Sequence, residues 1–491
     1  MTPIPAERQL VWFALMVMAI AVAAGVMEPA LAMFHTIPYG YNEGWNAYWA
    51  DVALRGGSLY PAPASSIANN YPPLSFFVVG AAGRLLGDNI FAGRLIALLS
   101  LLVVAADIYL WLRITGSTRG IALAGAALFT AAFVIWAPDY IAADDPQLLA
   151  HAIMLTGLLV LWRGQFSHAA IIGASVLMLL AGFTKHLLIP LPLATTLWLA
   201  LRSRRGLWTW IVASSVTALL FCAAASVAFG PFFSADLLFG REYSVRHAIR
   251  MTREAITLCL PALILTAVIV AHAWRSRKTE QSGGRAGFAM VYLAVAGMIG
   301  ALASGGAGVG ANAFFDFLLA SSICSALGLE ALQSMVPRWR LAWQPRVAAF
   351  GALGLLALPL TIHALEQIPT EIEDLRRLDA REAEALQDIH FIREIGQDHA
   401  ACETLSLCYW AQSSFEVDFF NYGEILKRKV LPESSCEAVF LAPRIRLVQI
   451  EKFKGQPVSF RLPMACNDLI HRHYKPIRDS EFGVLLVRER G

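Results

Sequence analysis

The chain has 491 residues, of which 57% are hydrophobic and only 15% charged, with a formal net charge of +3. Soluble globular chains carry about 25% charged residues, so the composition excludes an ordinary soluble domain and predicts a mainly α, polytopic membrane protein. The net charge is too small to suggest a nucleic-acid partner; what matters is where the basic residues fall.

Runs approaching the roughly 20 apolar residues that cross a hydrocarbon core lie near residues 10–30, 90–112, 120–137, 147–162, 168–183, 187–201, 207–230, 256–274, 287–303, 314–333 and 346–364. They predict about 11 transmembrane helices. The first is read as a retained span, because Met1 to Arg8 is a weak basic region and no small-x-small cleavage site closes the run. Basic residues such as Arg202, Arg204 and Arg205, and Arg275, Arg277 and Lys278, gather in alternate loops. The positive-inside rule then puts the N-terminus in the cytosol, the C-terminus outside, and the chain in a cytoplasmic (inner) membrane.

The first outer loop covers residues 31–89. Within Glu43 to Leu54, Trp45, Tyr48, Trp49 and Val52 recur at spacings of three and four, the pattern of an interfacial amphipathic helix. After a turn at Gly56-Gly57, Tyr71-Pro72-Pro73-Leu74 opens a second short helix ending near Leu86. Two membrane-parallel helices are therefore expected here.

Hydrophobicity drops beyond the last span, dividing the chain into a transmembrane domain over 1–364 and an extracytoplasmic α/β domain over 365–491. In the second, residues 372–395 read as an amphipathic helix and 414–419, 438–442, 447–450 and 483–487 as short strands. Cys402, Cys408, Cys436 and Cys466 all fall there, where an oxidising compartment favours one or two disulfides. Four cysteines allow three pairings; Cys402 with Cys408 and Cys436 with Cys466 is the favoured one, and a zinc site is the lesser alternative without a CxxC spacing.

Glu43, within Tyr41-Asn42-Glu43-Gly44-Trp45-Asn46, offers a carboxylate able to take a proton from an acceptor hydroxyl, or else a helix N-terminal charge. The second outer loop carries Asp139, Asp144 and Asp145, and charge so close to apolar helices is costly unless it faces a cavity or a partner. Asp145 before Pro146 suits a helix cap, which leaves the other aspartate for a site. Lys185 and His186 follow the fifth span and Arg241, Arg246, Arg250 and Arg253 the seventh. Such groups neutralise a lipid phosphate, arginine with a bidentate fork, or simply snorkel to headgroups. Asn312 and Asp316 stand one helical turn apart after the glycine-rich Ser304 to Ala311, and Asp316, like Asp107, is an ionisable group inside an apolar span.

Tyr41-Asn42-Glu43-Gly44-Trp45-Asn46-Ala47-Tyr48, Gly57-Ser58-Leu59-Tyr60-Pro61, Asn69-Asn70-Tyr71-Pro72-Pro73-Leu74, Gly93-Arg94-Leu95, Asp144-Asp145-Pro146, Phe183-Thr184-Lys185 and Gly310 to Phe315, in that order, resemble bacterial glycosyltransferases of the GT-C class. These form the broad family 39 set that includes protein mannosyltransferases and aminoarabinose transferases. The resemblance implies a GT-C-type bundle that moves a sugar from a polyprenyl-phosphate-linked donor to a glycan, lipid or protein acceptor at the outer face, by an inverting single displacement. It implies Glu43 as general base, helped by Asp144 and Asp145, with Lys185, His186, Arg241, Arg246 and Arg250 around the donor phosphate. Asn42, Tyr71, Asn312 and Asp316 would contact substrate. Some relatives have a basic residue where this chain has Tyr71, and some are metal-assisted. No convincing ligand set stands out here, so no ion is expected to be required, though a divalent metal remains an option. The rival readings are a secondary transporter coupling ions through Asp107 and Asp316, and a non-catalytic cell-envelope assembly protein.

Overall fold

The computed structural model describes residues 6–63, 65–238, 240–276, 280–335 and 344–489; Arg277 and Lys278 lie outside them. Every expected span holds a helix: α1 (Ala6–Ala32), α4 (Asn89–Ile114), α5 (Arg119–Trp136), α6 (Gln147–Arg163), α7 (His168–Thr184), α8 (Pro190–Arg202), α9 (Arg204–Phe229), α11 (Val245–Ser276), α12 (Glu280–Ala303), α13 (Phe315–Met335) and α14 (Gln344–Phe391). Local sequence fixes where several of these begin. Asp88, Thr118, Ser167 and Ser203 each accept a hydrogen bond from an amide of the following first turn, satisfying a donor that the helix leaves unpaired. Six helices among the described residues are long and apolar enough to cross a membrane. α13 is buried on nearly every side, whereas α9 turns almost its whole length outward, so one is the centre of the bundle and the other its periphery.

The first outer loop forms α2 (Tyr41–Arg55) and α3 (Leu74–Leu86) as expected, and α10 (Phe233–Leu237) is a short addition after α9. α2 does not expose a polar face as an interfacial helix would: Glu43 to Ala50 are all buried. It is held between α3 and α4 on one side and the C-terminal domain on the other. Gly44 permits this approach, since a Cβ there would lie 2.1 Å from the amide nitrogen of Ser406.

α14 is one helix of 48 residues, so the expected boundary at residue 364 falls inside it. Its apolar C-terminal part, Leu378, Ala385 and Ile389, enters the core of the C-terminal domain. That domain has a four-stranded sheet of order β1-β2-β4-β3, with β1 (Ala400–Cys402), β2 (Leu447–Ile450), β3 (Tyr474–Ser480) and β4 (Gly483–Arg488). β1 and β2 are parallel and the other pairs antiparallel. α15 (Leu405–Trp410), α16 (Phe419–Lys427), α17 (Ser435–Phe440) and α18 (Met464–His473) complete it. The strands expected at 447–450 and 483–487 are present. The runs at 414–419 and 438–442 instead lead into α16 and end α17, because an apolar run this short fits either structure. β3 escapes sequence reading because it is an outward-facing edge strand carrying Pro476. Disulfides join Cys402 to Cys408 and Cys436 to Cys466, with Cα atoms 5.8 and 5.6 Å apart.

Candidate active site

The α2 N-terminus brings Glu43 against Arg94 of α4. Glu43 Oε1 accepts from Arg94 Nε at 2.7 Å and from the Asp144 amide at 3.3 Å. Its Oε2 accepts from an Arg94 terminal nitrogen at 2.7 Å and from the Tyr39 amide at 3.0 Å. A carboxylate has about four lone-pair sites, and all are occupied. Arg94 is equally committed, donating also to the carbonyls of Ala32, His35 and Ile37. Both side chains are 2% exposed. This is a saturated clamp joining the end of α1, α2, α4 and the second outer loop. A general base needs a free lone pair facing its substrate, which the expected base Glu43 does not offer in this arrangement.

The next pair differs. Ala142 adopts a left-handed φ of 50°, an unusual conformation for a residue with a Cβ, in the turn that delivers Asp144 and Asp145. Asp145 Oδ1 accepts the Gln147 amide at 2.8 Å, the helix-cap role expected for one of the two. Asp145 Oδ2 accepts from Asn42 Nδ2 at 3.3 Å and lies 3.8 Å from Lys185 Nζ. Lys185 is buried, makes no hydrogen bond with a described residue, and rests 3.4 Å from the centroid of the Tyr71 ring. Asp144 is buried beside them with Oδ2 unpartnered. Burial, then the charges of Glu43 and Asp145, raise its carboxyl well above the ordinary value. His186 keeps accessible surface. The protein packed around it, with the charges of Lys185 and Arg241, nevertheless pushes its imidazole down to about 4.

Asn42 and Tyr71 open onto a cavity of ≈ 310 Å³. Its near wall comes from the first outer loop (Tyr41, Trp45, Asn70), its far wall from the C-terminal domain (Phe420, Asn421, Phe460, Arg461), and Arg241 and Gly308 close it. Asp418 of the C-terminal domain ties the walls together. It accepts from Trp45 Nε1 at 2.9 Å, Tyr41 Oη at 3.1 Å and Asn421 Nδ2 at 2.6 Å.

The structure therefore gathers Glu43, Asp144, Asp145, Lys185, Asn42 and Tyr71 at one end of the bundle, with Arg241 across the cavity. Arg246 and Arg250 are exposed and do not line that cavity; Arg250 hydrogen-bonds His247 instead. Asn312 accepts the Gly310 amide within its own turn. Asp316 is held inside the bundle by the Tyr292 hydroxyl at 2.6 Å and His151 at 3.2 Å, and Asp107 by Thr156 at 3.1 Å. The three carboxylates make a poor metal donor set, since Glu43 has no free lone pair and the Lys185 ammonium faces Asp145. Among the described residues no group of three or more His, Cys, Asp and Glu side chains is placed to hold a metal ion. Sequence reasoning gave no role to Arg94, although a charge in an apolar run signals one. It also gave no role to Asp418, Phe420, Asn421, Phe460 and Arg461, because the first-loop residues they meet across the cavity lie more than 300 positions earlier.

A polytopic bundle with a two-helix outer loop under a small α/β domain is the fold of the GT-C class of membrane glycosyltransferases. ArnT from Cupriavidus metallidurans bound to undecaprenyl phosphate superposes with a TM-score of 0.59 at 14% identity, over 96% of this chain and 97% of that one. The apo form of the Archaeoglobus fulgidus oligosaccharyltransferase gives 0.58 at 11% identity, over 91% and 69%. AglB from Archaeoglobus fulgidus with an inhibitory peptide and a dolichol-phosphate gives 0.50 at 13%, over 99% and 74%. At these identities the likeness is one of fold. No family model matches the sequence, and no curated protein matches it.

Proposed function

We propose that this protein is a glycosyltransferase that moves a sugar from a polyprenyl-phosphate-linked donor to an acceptor at the outer face of the membrane, with its N-terminus cytosolic and its α/β domain outside. The observation that carries the reading is the buried Asp145–Lys185 pair, incompletely hydrogen-bonded and one residue behind a cavity at the end of the bundle. An ammonium withdrawn from water without full compensation is unfavourable. A phosphate entering beside it supplies the missing acceptors. The GT-C fold, shared with a structure that holds undecaprenyl phosphate and another that holds a dolichol-phosphate, supports a lipid phosphate as that group.

In the proposed step the acceptor hydroxyl oxygen attacks the anomeric carbon and passes its proton to Asp145. The bond from that carbon to the phosphate oxygen breaks, and the electron pair leaves with the phosphate, whose growing charge Lys185 and Arg241 stabilise. Glu43 acts through position: by clamping Arg94 and the Asp144 amide it holds the second loop where Asp145 meets Asn42. Transfer from a panel of polyprenyl-phosphate sugars by the purified protein is the test. Product formation that disappears in Asp145→Asn, with the melting transition retained, is the expected result. Undiminished transfer by that variant, or no transfer from any donor, would overturn the reading.

A further inference from the structure

The cavity beside Asp145 has a composition that the reaction by itself does not require. Five of its lining side chains are aromatic: Tyr41, Trp45, Tyr71, Phe420 and Phe460. Three more are carboxamides, Asn42, Asn70 and Asn421. The amide nitrogens of Asn42 and Asn70 are used within the protein, donating to Asp145 and to Asn421; their carbonyl oxygens make no hydrogen bond with a described residue. A pocket with apolar walls and a few placed polar groups selects ligands that are apolar on their faces and polar at their edges. A pyranose ring has that shape, with C–H faces to lie on aromatic rings and hydroxyls to meet carboxamides.

The aromatic surface continues out of the cavity. Arg461 is fixed by Glu403 and Glu451 at 2.7 and 2.8 Å, and its guanidinium lies 4.1 Å from the Tyr41 ring and 4.5 Å from that of Phe460. Phe460 is 52% exposed, and Phe453, with its centroid 5.6 Å further on, is 45% exposed. Phe453 projects from a tight turn closed by its pairing with Gln456. Neither ring contributes to the core of its domain, and adjacent exposed rings at the mouth of a pocket mark a binding surface.

We infer that the cavity and the Phe453–Phe460 shelf form the acceptor subsite, and that the acceptor is a glycan of more than one sugar, stacked along these rings with its terminal hydroxyl directed at Asp145. This rests on the glycosyl-transfer reading given above. It makes the α/β domain part of the site, because Phe420, Asn421, Phe453, Phe460 and Arg461 all belong to it. A lipid chain would leave the carboxamide oxygens of Asn42 and Asn70 without partners, whereas a sugar meets both the rings and the carboxamides.

The test uses saturation-transfer NMR on the full chain in detergent, with defined tetrasaccharides of glucose, N-acetylglucosamine, mannose and galacturonate as probes. At least one should receive saturation, and Phe453→Ala with Phe460→Ala should weaken its affinity about tenfold. Both residues are exposed, so the double variant should keep the wild-type melting transition. Binding of polyprenyl phosphate is measured on the same samples. It should be unchanged by the double variant and weakened about 10- to 100-fold in Lys185→Met. If polyprenyl phosphate binds but no tetrasaccharide does, or if tetrasaccharide binding survives loss of both rings, the acceptor inference fails alone. If Lys185→Met binds polyprenyl phosphate as well as wild type, the donor assignment fails instead.

Discussion

Two buried carboxylate–cation pairs stand within one short helix and loop of each other, and they are built differently. Glu43 and Arg94 use every acceptor and nearly every donor that they possess on one another and on backbone groups. Asp145 and Lys185 stand 3.8 Å apart, and the ammonium makes no hydrogen bond with a described residue. Burial alone does not separate a structural ion pair from a reactive one, since all four groups are nearly inaccessible. Saturation does: the first pair has no lone pair left to offer, whereas the second keeps an ammonium with no hydrogen bond to a described residue, the group that the proposed transfer uses.

The comparison breaks if both pairs respond alike to isosteric change. Asp145→Asn should lower transfer by about 10² to 10⁴, the range for losing a general base, with a smaller loss of stability than Arg94→Ala, because Lys185 loses its counter-charge while the Gln147 amide keeps an acceptor. Arg94→Ala should act on stability, costing about 3–5 kcal/mol because it leaves Glu43 as an unpaired buried charge. Its signature is low yield and a depressed melting temperature in detergent. Glu43→Gln should follow the same pattern. A Glu43→Gln protein that melts like wild type but transfers no sugar would make Glu43 the base after all.

Lys185→Met sharpens the other side. It should raise the donor KM by about 10- to 100-fold, the worth of one charge-assisted hydrogen bond, with a smaller change in stability because Tyr71 packs against the methionine side chain equally well. The smallest effect concerns Asp144, whose folded pKa is raised above the ordinary 3.8. A raised carboxyl gives stability that is full below that ordinary value and is lost as pH rises through the folded one. Melting temperatures of wild type and Asp144→Asn should therefore converge at acid pH and part toward alkaline pH, with the variant higher.

Each membrane helix could be read from the sequence because an apolar run of that length has no alternative: its backbone must satisfy itself inside the bilayer. The aspartates of the second loop and Lys185 were legible for the same reason, as charges at the ends of apolar helices. The pairing of Cys402 with Cys408 and of Cys436 with Cys466 was one of three arrangements until the chain was folded. What only the tertiary structure decided is which carboxylate is spent. Glu43 and Asp145 carry the same group in the same kind of setting, and their difference lies in how many donors converge on each. Those donors come from the connection between α1 and α2, from α2, α4, the second outer loop and α6, and from the residue that follows α7, whose relative positions no local pattern encodes. The cavity is a further case: its far wall is a domain more than 300 residues along the chain from its near wall. Period and composition report what a segment faces, whereas the identity of its neighbour follows only from packing the whole chain.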